Sequence, residues 1–321
     1  MGIYIEFISK LIVLITTQPM SLFAPARFMN HLALDDTSAF RSWAARKREA
    51  YQLRNAVGFE PLITLPADGE MTPEILNQVR GQLADYNFAL YRLAGECADH
   101  LAVVKRISQQ LGLREPDKNL CAAEDRITRL TVTDHGRAHH YIPYTNKAIG
   151  WHTDGYYNPM QQRVLSFVLH CEQPAAQGGE NRLLDPDMVY IHLREQDPAF
   201  VRALSEPRVM CIPANYEHGQ LVRPETCSAV FLREQGDALA MRFSRRTRNI
   251  VWRDDSVTRE ALECLLAFID SNTPYIISHR LNAGEGVINN NVLHTRSAFS
   301  DSAAHKRVFY RARFYTRIGI H

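Results

Sequence analysis

One short segment near the C-terminal end, Lys306 to Thr316 (KRVFYRARFYT), does most to restrict how this chain can fold. Period-two spacing puts Arg307, Arg311 and Arg313 on one face of an extended strand, and Val308, Tyr310 and Ala312 on the other. A core strand rarely buries several arginines, because an unpaired buried charge is costly. The fold must therefore bring anions to this strand, and the planar guanidinium fork suits a carboxylate.

The rest of the chain has the means to build such a core. Its 321 residues are 45% apolar and 22% charged, as in ordinary globular proteins. Lysines and arginines (37) nearly balance aspartates and glutamates (35). That balance gives no electrostatic reason to expect nucleic acid or a membrane surface as a partner. Ile3 to Thr17 is apolar but interrupted by Glu6 and Lys10, and too short to span a bilayer. We read residues 1–19 as an extension outside the fold and 20–321 as a single domain. Six cysteines (Cys97, Cys121, Cys171, Cys211, Cys227, Cys264) lack any short repeat, which predicts separate reduced thiols and a cytoplasmic setting.

Helices lead. Residues 35–56 have helical composition with Asp36 or Ser38 as cap, and Thr72-Pro73-Glu74 opens a helix through Gln82. A strand from Phe88 and an amphipathic helix from Cys97 to Leu111 follow. From about residue 127, short Val/Ile/Thr/Tyr runs alternate with Gly, Pro and Asn. Helices at Pro186–Glu195 and Ser256–Ser271, the latter capped by Ser256, interrupt this pattern. The composition is that of an α+β protein with a sandwich or barrel core.

The chemistry centres on Gly150-Trp-His-Thr-Asp-Gly155. His152 and Asp154, two apart, project from one face of an extended segment and can take adjacent positions around a metal. Alone, an H-x-D triplet is weak and favours a surface turn. Downstream, Gly284-Glu-Gly286 feeds a strand, Val287 to Leu293, that would deliver His294 from across a β-core. Two histidines and one carboxylate make a facial triad with three open positions, as ferrous oxygenases require. A lone histidine is more often structural.

The set W-H-T-D at 151–154, Gly178-Gly-Glu-Asn181, N-x-x-L-H-x-R at 290–296 and K-R-x-x-x-R at 306–311 resembles the taurine dioxygenase-like branch of iron(II)/2-oxoglutarate-dependent oxygenases. This branch includes herbicide- and betaine-hydroxylating enzymes, and the likeness runs over about residues 85–315. It implies a double-stranded β-helix, or jelly-roll, with helices outside. It also implies Fe(II) on His152, Asp154 and His294, with O2 and 2-oxoglutarate as co-substrates. Arg307 would pair with the far carboxylate of 2-oxoglutarate, Arg311 would lie near its chelating end, and Asn181 would donate a hydrogen bond. The interval from His294 to Arg307 is longer than in the taurine enzyme, which keeps Arg313 as an alternative anchor.

Two other readings fit the ligands alone: a zinc-dependent hydrolase on the same scaffold, and a non-catalytic metal-binding protein. The arginines argue against the first, since a hydrolase needs no dicarboxylate cradle. The complete triad argues against the second. The partner expected is a small polar or anionic metabolite, with homo-oligomerisation left open. Trp151, Tyr156, Tyr157, His140 and Arg296 are candidates for its pocket. Arg242 to Asn249 (RFSRRTRN) reads as a solvated face or an anion site.

Overall fold

The computed structural model describes residues 30–117, 126–133, 141–217, 219–246 and 250–319. The expected extension at 1–19, His140, Cys121 and residues 247–249 lie outside them. Three helices lead: α1 (Thr37–Arg54), α2 (Pro73–Tyr86) and α3 (His100–Gln110). Each starts on a side chain that accepts from a free backbone N–H: Asp36 from Ala39, Thr72 from Ile75, Asp99 from Ala102. Two inserted helices match the expected places, α4 (Pro186–Gln196) and, after the short α5 (Pro198–Leu204), α6 (Ser256–Asp270). The cap of α6 is Asp255 and not Ser256: its carboxylate accepts from both the Thr258 amide and hydroxyl.

Two sheets form the body, built from β1 (Leu62–Pro66), β2 (Phe88–Ala94), β3 (Thr128–Leu130), β4 (Ile149–His152), β5 (Ser166–Gln173), β6 (Asn181–Leu184), β7 (Ile276–His279), β8 (Glu285–Asn289), β9 (Leu293–Arg296) and β10 (Val308–Phe314). The larger runs β1-β2-β8-β5-β10-β3 and the smaller β7-β6-β9-β4. All neighbours are antiparallel except the β1–β2 pair. Leu90, Phe167, Val287 and Phe309 of the larger sheet share one core with Leu183 and Leu293 of the smaller. Helices α2 and α3 cover the other face of the larger sheet, where Val79, Leu83, Val103 and Ile107 pack on Ala89, Val168 and Ala312. Along β10, Phe309 therefore lies on the arginine face and Ala312 on the helix face, the alternation expected.

Two further expectations fail. The run Val287 to Leu293 is not one strand: β8 ends at Asn289 in the larger sheet and β9 begins at Leu293 in the smaller. The chain changes sheets at Asn291, which adopts the left-handed φ of 53° that asparagine tolerates. The cysteines are not all separate thiols either. Strands Met210–Ile212 and Thr226–Ser228 pair with Cys211 opposite Cys227, and the two form a disulfide, while Cys97, Cys171 and Cys264 are free.

Candidate metal centre

The small sheet assembles the site. β9 pairs with β4 so that His294 stands directly across from His152, their ring centroids 4.2 Å apart. Each imidazole is fixed through Nδ1, which donates to a carbonyl at 2.9 Å: Gly150 for His152, Val292 for His294. Both Nε2 atoms are thereby left as acceptors, 3.6 Å and 3.9 Å from the same Asp154 oxygen. One ligand atom from each of the three residues falls within a 4.8 Å span. Burial, aided by neighbouring His152, pushes the His294 imidazole down to about 3, so it is neutral and free to bind a cation.

Asp154 is nearly inaccessible, and burial alone would raise its carboxyl. The Arg311 guanidinium 2.9 Å away overrides this, and with help from His152, Arg313 and His294 holds it well below the usual carboxylate range. Both of its oxygens face that guanidinium, Oδ2 at 2.9 Å and Oδ1 at 3.2 Å. Two imidazole Nε2 atoms and one ionised carboxylate fit a divalent first-row metal. The backbone of Asp154 is clamped by Asn291, whose Oδ1 accepts from the Asp154 N–H (2.7 Å) and whose Nδ2 donates to its carbonyl (3.0 Å). Sequence reasoning missed this residue, although the Asn289-Asn290-Asn291 run before His294 was a signal that something other than a strand was needed there.

The arginines divide. Arg307 is buried over the Phe309 ring (3.8 Å) and near Phe299, and its guanidinium forms no ion pair or hydrogen bond among the described residues. Burial pushes it down to about 10. Arg311 faces Asp154, but its Nε is buried and unpartnered among the described residues. Arg313 is occupied: it binds Asp117, which also accepts from Tyr315 (2.9 Å) and Asn158 (3.1 Å). Asn181 follows the Gly178-Gly179 turn, and its Nδ2 is buried without a partner among the described residues. Glycine is required at 178: φ is +73° and a Cβ would lie 2.2 Å from the Ala298 carbonyl.

The other candidates disperse. Trp151 alternates away from His152 into the core, with Arg182 over its ring, so it does not share the face that carries the ligands. Arg296 is buried and donates to the carbonyls of Pro143, Thr145 and Lys147, tying down the segment before β4. Burial and the charges of Arg307 and Arg311 push it down to about 9. Tyr156 and Tyr157 form an edge-on pair just after Asp154, with Tyr157 partly exposed beside Arg223. Arg242 is buried and holds that loop through the carbonyls of Tyr156 and Asn158, whereas Arg245 pairs with Asp270 at the surface.

A three-ligand centre with open positions, beside a buried arginine, Arg307, that has no ion pair among the described residues, is the construction of a mononuclear non-haem iron oxygenase. The model of the taurine catabolism dioxygenase TauD, TfdA family matches residues 49–313, and the chain belongs to this family. It is an Fe(II)- and 2-oxoglutarate-dependent dioxygenase acting on a small molecule. A uridine-5'-phosphate dioxygenase from a Streptomyces species is 29% identical over 244 residues, 72% of this chain and 86% of that protein. Among solved structures, an asparagine oxygenase with Fe(II), 3-hydroxyasparagine and succinate shares the fold at a TM-score of 0.52. It is 18% identical, covering 85% of this chain and 91% of that one. The non-haem iron oxygenase OrfP, with Fe, succinate and a dihydroxy-L-Arg, gives 0.55 at 15% identity, covering 85% and 92%.

Proposed function

We propose that this enzyme hydroxylates a C–H bond of a small polar or anionic metabolite, with His152, Asp154 and His294 holding iron and Arg307, Arg311 and Asn181 holding 2-oxoglutarate. The observation that carries this reading is a His-Asp-His ligand set flanked, among the described residues, by an unpaired buried guanidinium Nε on Arg311 and an unpaired buried amide on Asn181. Buried polar atoms are almost always paired, so such atoms beside a ligand set mark where ligands belong. With metal and co-substrate bound, O2 places one oxygen atom in the substrate as an alcohol and the other in succinate, with release of CO2.

The protein's part is orientation and charge. Gly150 and Val292 fix the two imidazoles, and Asn291 fixes the Asp154 backbone. Arg311 keeps Asp154 ionised, and Arg307 and Asn181 offer the far carboxylate a cation and a donor. The two sheets act as the halves of a double-stranded β-helix, the described residues from Asn30 onward forming a single domain. Tyr156 and Tyr157, held by Arg242, stand at the substrate side. A charged polar substrate accords with relatives whose names and ligands are a nucleotide and amino acids. A cytoplasmic setting suits a ferrous ion.

The test is anaerobic addition of Fe(II) and then 2-oxoglutarate, watching the weak visible charge-transfer band of the chelate. A band in the wild type that is lost in Asp154→Ala is expected. No band, or one undiminished in the variant, would overturn the assignment. Succinate release screened across amino acids, nucleotides, sulfonates and betaines then identifies the substrate.

A further inference from the structure

The interior between the sheets has polar groups that the ligands and arginines above leave unused. A small cavity adjoins His294. Its lining is leucine, valine and phenylalanine except for three residues: His294, Asn181 and His279. The β6–β7 register places Asn181 directly opposite His279, and the β6–β9 register places it opposite Arg296, so these three side chains gather at one end of the smaller sheet.

His279 is oriented from behind. Its Nε2 donates to Glu285 Oε2 at 2.9 Å, and Glu285 also accepts from the Asn282 backbone (2.8 Å) and side chain (3.3 Å). Burial would raise the Glu285 carboxyl, but these donors, led by the Asn282 amide, hold it below its usual value, so it is an ionised anchor. The other ring nitrogen, Nδ1, has no hydrogen-bond partner among the described residues, like the neighbouring Asn181 Nδ2. An apolar cavity with a metal ligand at one side, and a buried unpaired amide and an oriented imidazole elsewhere, suits a molecule with polar ends and an apolar middle. 2-Oxoglutarate has that shape: a chelating ketoacid, two methylenes and a carboxylate.

We infer that His279, oriented by Glu285, is a third recognition group for the far carboxylate of 2-oxoglutarate, beside Asn181 and Arg307, and makes the enzyme reject ketoacids that lack that carboxylate. The inference rests on the co-substrate site proposed above. Such recognition is made by the imidazolium form, which donates from both nitrogens to the two carboxylates, and such charge-assisted hydrogen bonds are the strong ones.

The experiment is an anaerobic titration of the Fe(II)-loaded protein with 2-oxoglutarate and with 2-oxopentanoate, a ketoacid of the same length without the far carboxylate. Affinity is read from the chelate band and not from turnover. His279→Leu is expected to weaken 2-oxoglutarate about tenfold, the worth of one charged hydrogen bond, while 2-oxopentanoate is held as before. Glu285→Gln should give a smaller loss with the same selectivity. His279→Gln, which preserves polarity and most of the volume, serves as the second variant and should also narrow the ratio between the two acids. Equal losses for both acids, or an unchanged ratio in all three variants, would overturn the role of His279 alone. A wild type that gives no band with either acid would instead overturn the co-substrate site itself.

Discussion

The two faces of the larger sheet bury polar groups under opposite rules. On the outer face, beneath α3, His170 of β5 is fully buried and both ring nitrogens are engaged, by the Tyr91 hydroxyl at 2.9 Å and by His100 at 2.8 Å. Gly286 makes room for that tyrosine, because a Cβ there would lie 2.4 Å from its hydroxyl. On the inner face, among the described residues, Arg307 has no anion and Arg311 leaves Nε unpaired, and across the cavity Asn181 leaves Nδ2 unpaired. A satisfied network fixes a structure, whereas an unsatisfied one costs stability and persists where a ligand completes it. Substitutions on the inner face should therefore cost binding before stability, and those on the outer face the reverse.

The largest expected effect is at Asp154. Asp154→Asn should lower turnover about a thousandfold or more, since metal-assisted catalysis is worth several kcal/mol. Metal analysis should show the iron lost, and stoichiometric iron in the variant would erase the distinction between the faces. Arg313 sharpens the comparison, because it is on the inner face yet fully used by Asp117. Arg313→Met leaves a buried carboxylate without its cation and should destabilise the protein by about 3 kcal/mol in urea unfolding. Its affinity for 2-oxoglutarate should be unchanged; a weakened affinity would make it the anchor in place of Arg307. Arg307→Met should weaken 2-oxoglutarate about a hundredfold, as when one partner of a buried charge pair is removed. The metal-free protein should be as stable as before or more so, because Arg307 is a buried cation without an anion among the described residues. A clear drop in melting temperature would move Arg307 into the scaffold.

This division explains what could be read from the sequence. The arginine face was legible because it follows from local alternation, residues two apart sharing a face in any strand, whereas His294 could be joined to His152 and Asp154 only through its motif. The same rule should have removed Trp151 from the pocket, since it adjoins His152 and must point the other way. Tertiary pairing is invisible to that rule. Nothing local shows that Asn291 turns the chain from one sheet to the other while clamping Asp154, because the apolar residues around it read as one strand. Nor does spacing show that Cys211 and Cys227 meet, since their register is set by strand pairing across a long connection. Arg313 and Arg307 look alike in the sequence, and only the position of Asp117 tells the occupied arginine from the waiting one.

The smallest effect tests the outer face through pH. Burial, reinforced by His100, pushes the His170 imidazole down from 6.5 to about 3. The unfolded chain then binds a proton in the window from 6.5 to 3 that the folded chain refuses. The stability this residue allows is complete above that window and declines as pH falls into it. Between pH 7 and pH 5.5 the loss should be roughly 1 kcal/mol, read as a shift in the urea midpoint. His170→Gln keeps a donor and an acceptor but cannot titrate, so its midpoint should fall less over the same interval. Its 2-oxoglutarate affinity at pH 7 should equal that of the wild type, since the residue faces away from the cavity. If the variant keeps the wild-type slope, the acid sensitivity belongs to groups elsewhere; if its co-substrate affinity drops as well, the two faces are not independent.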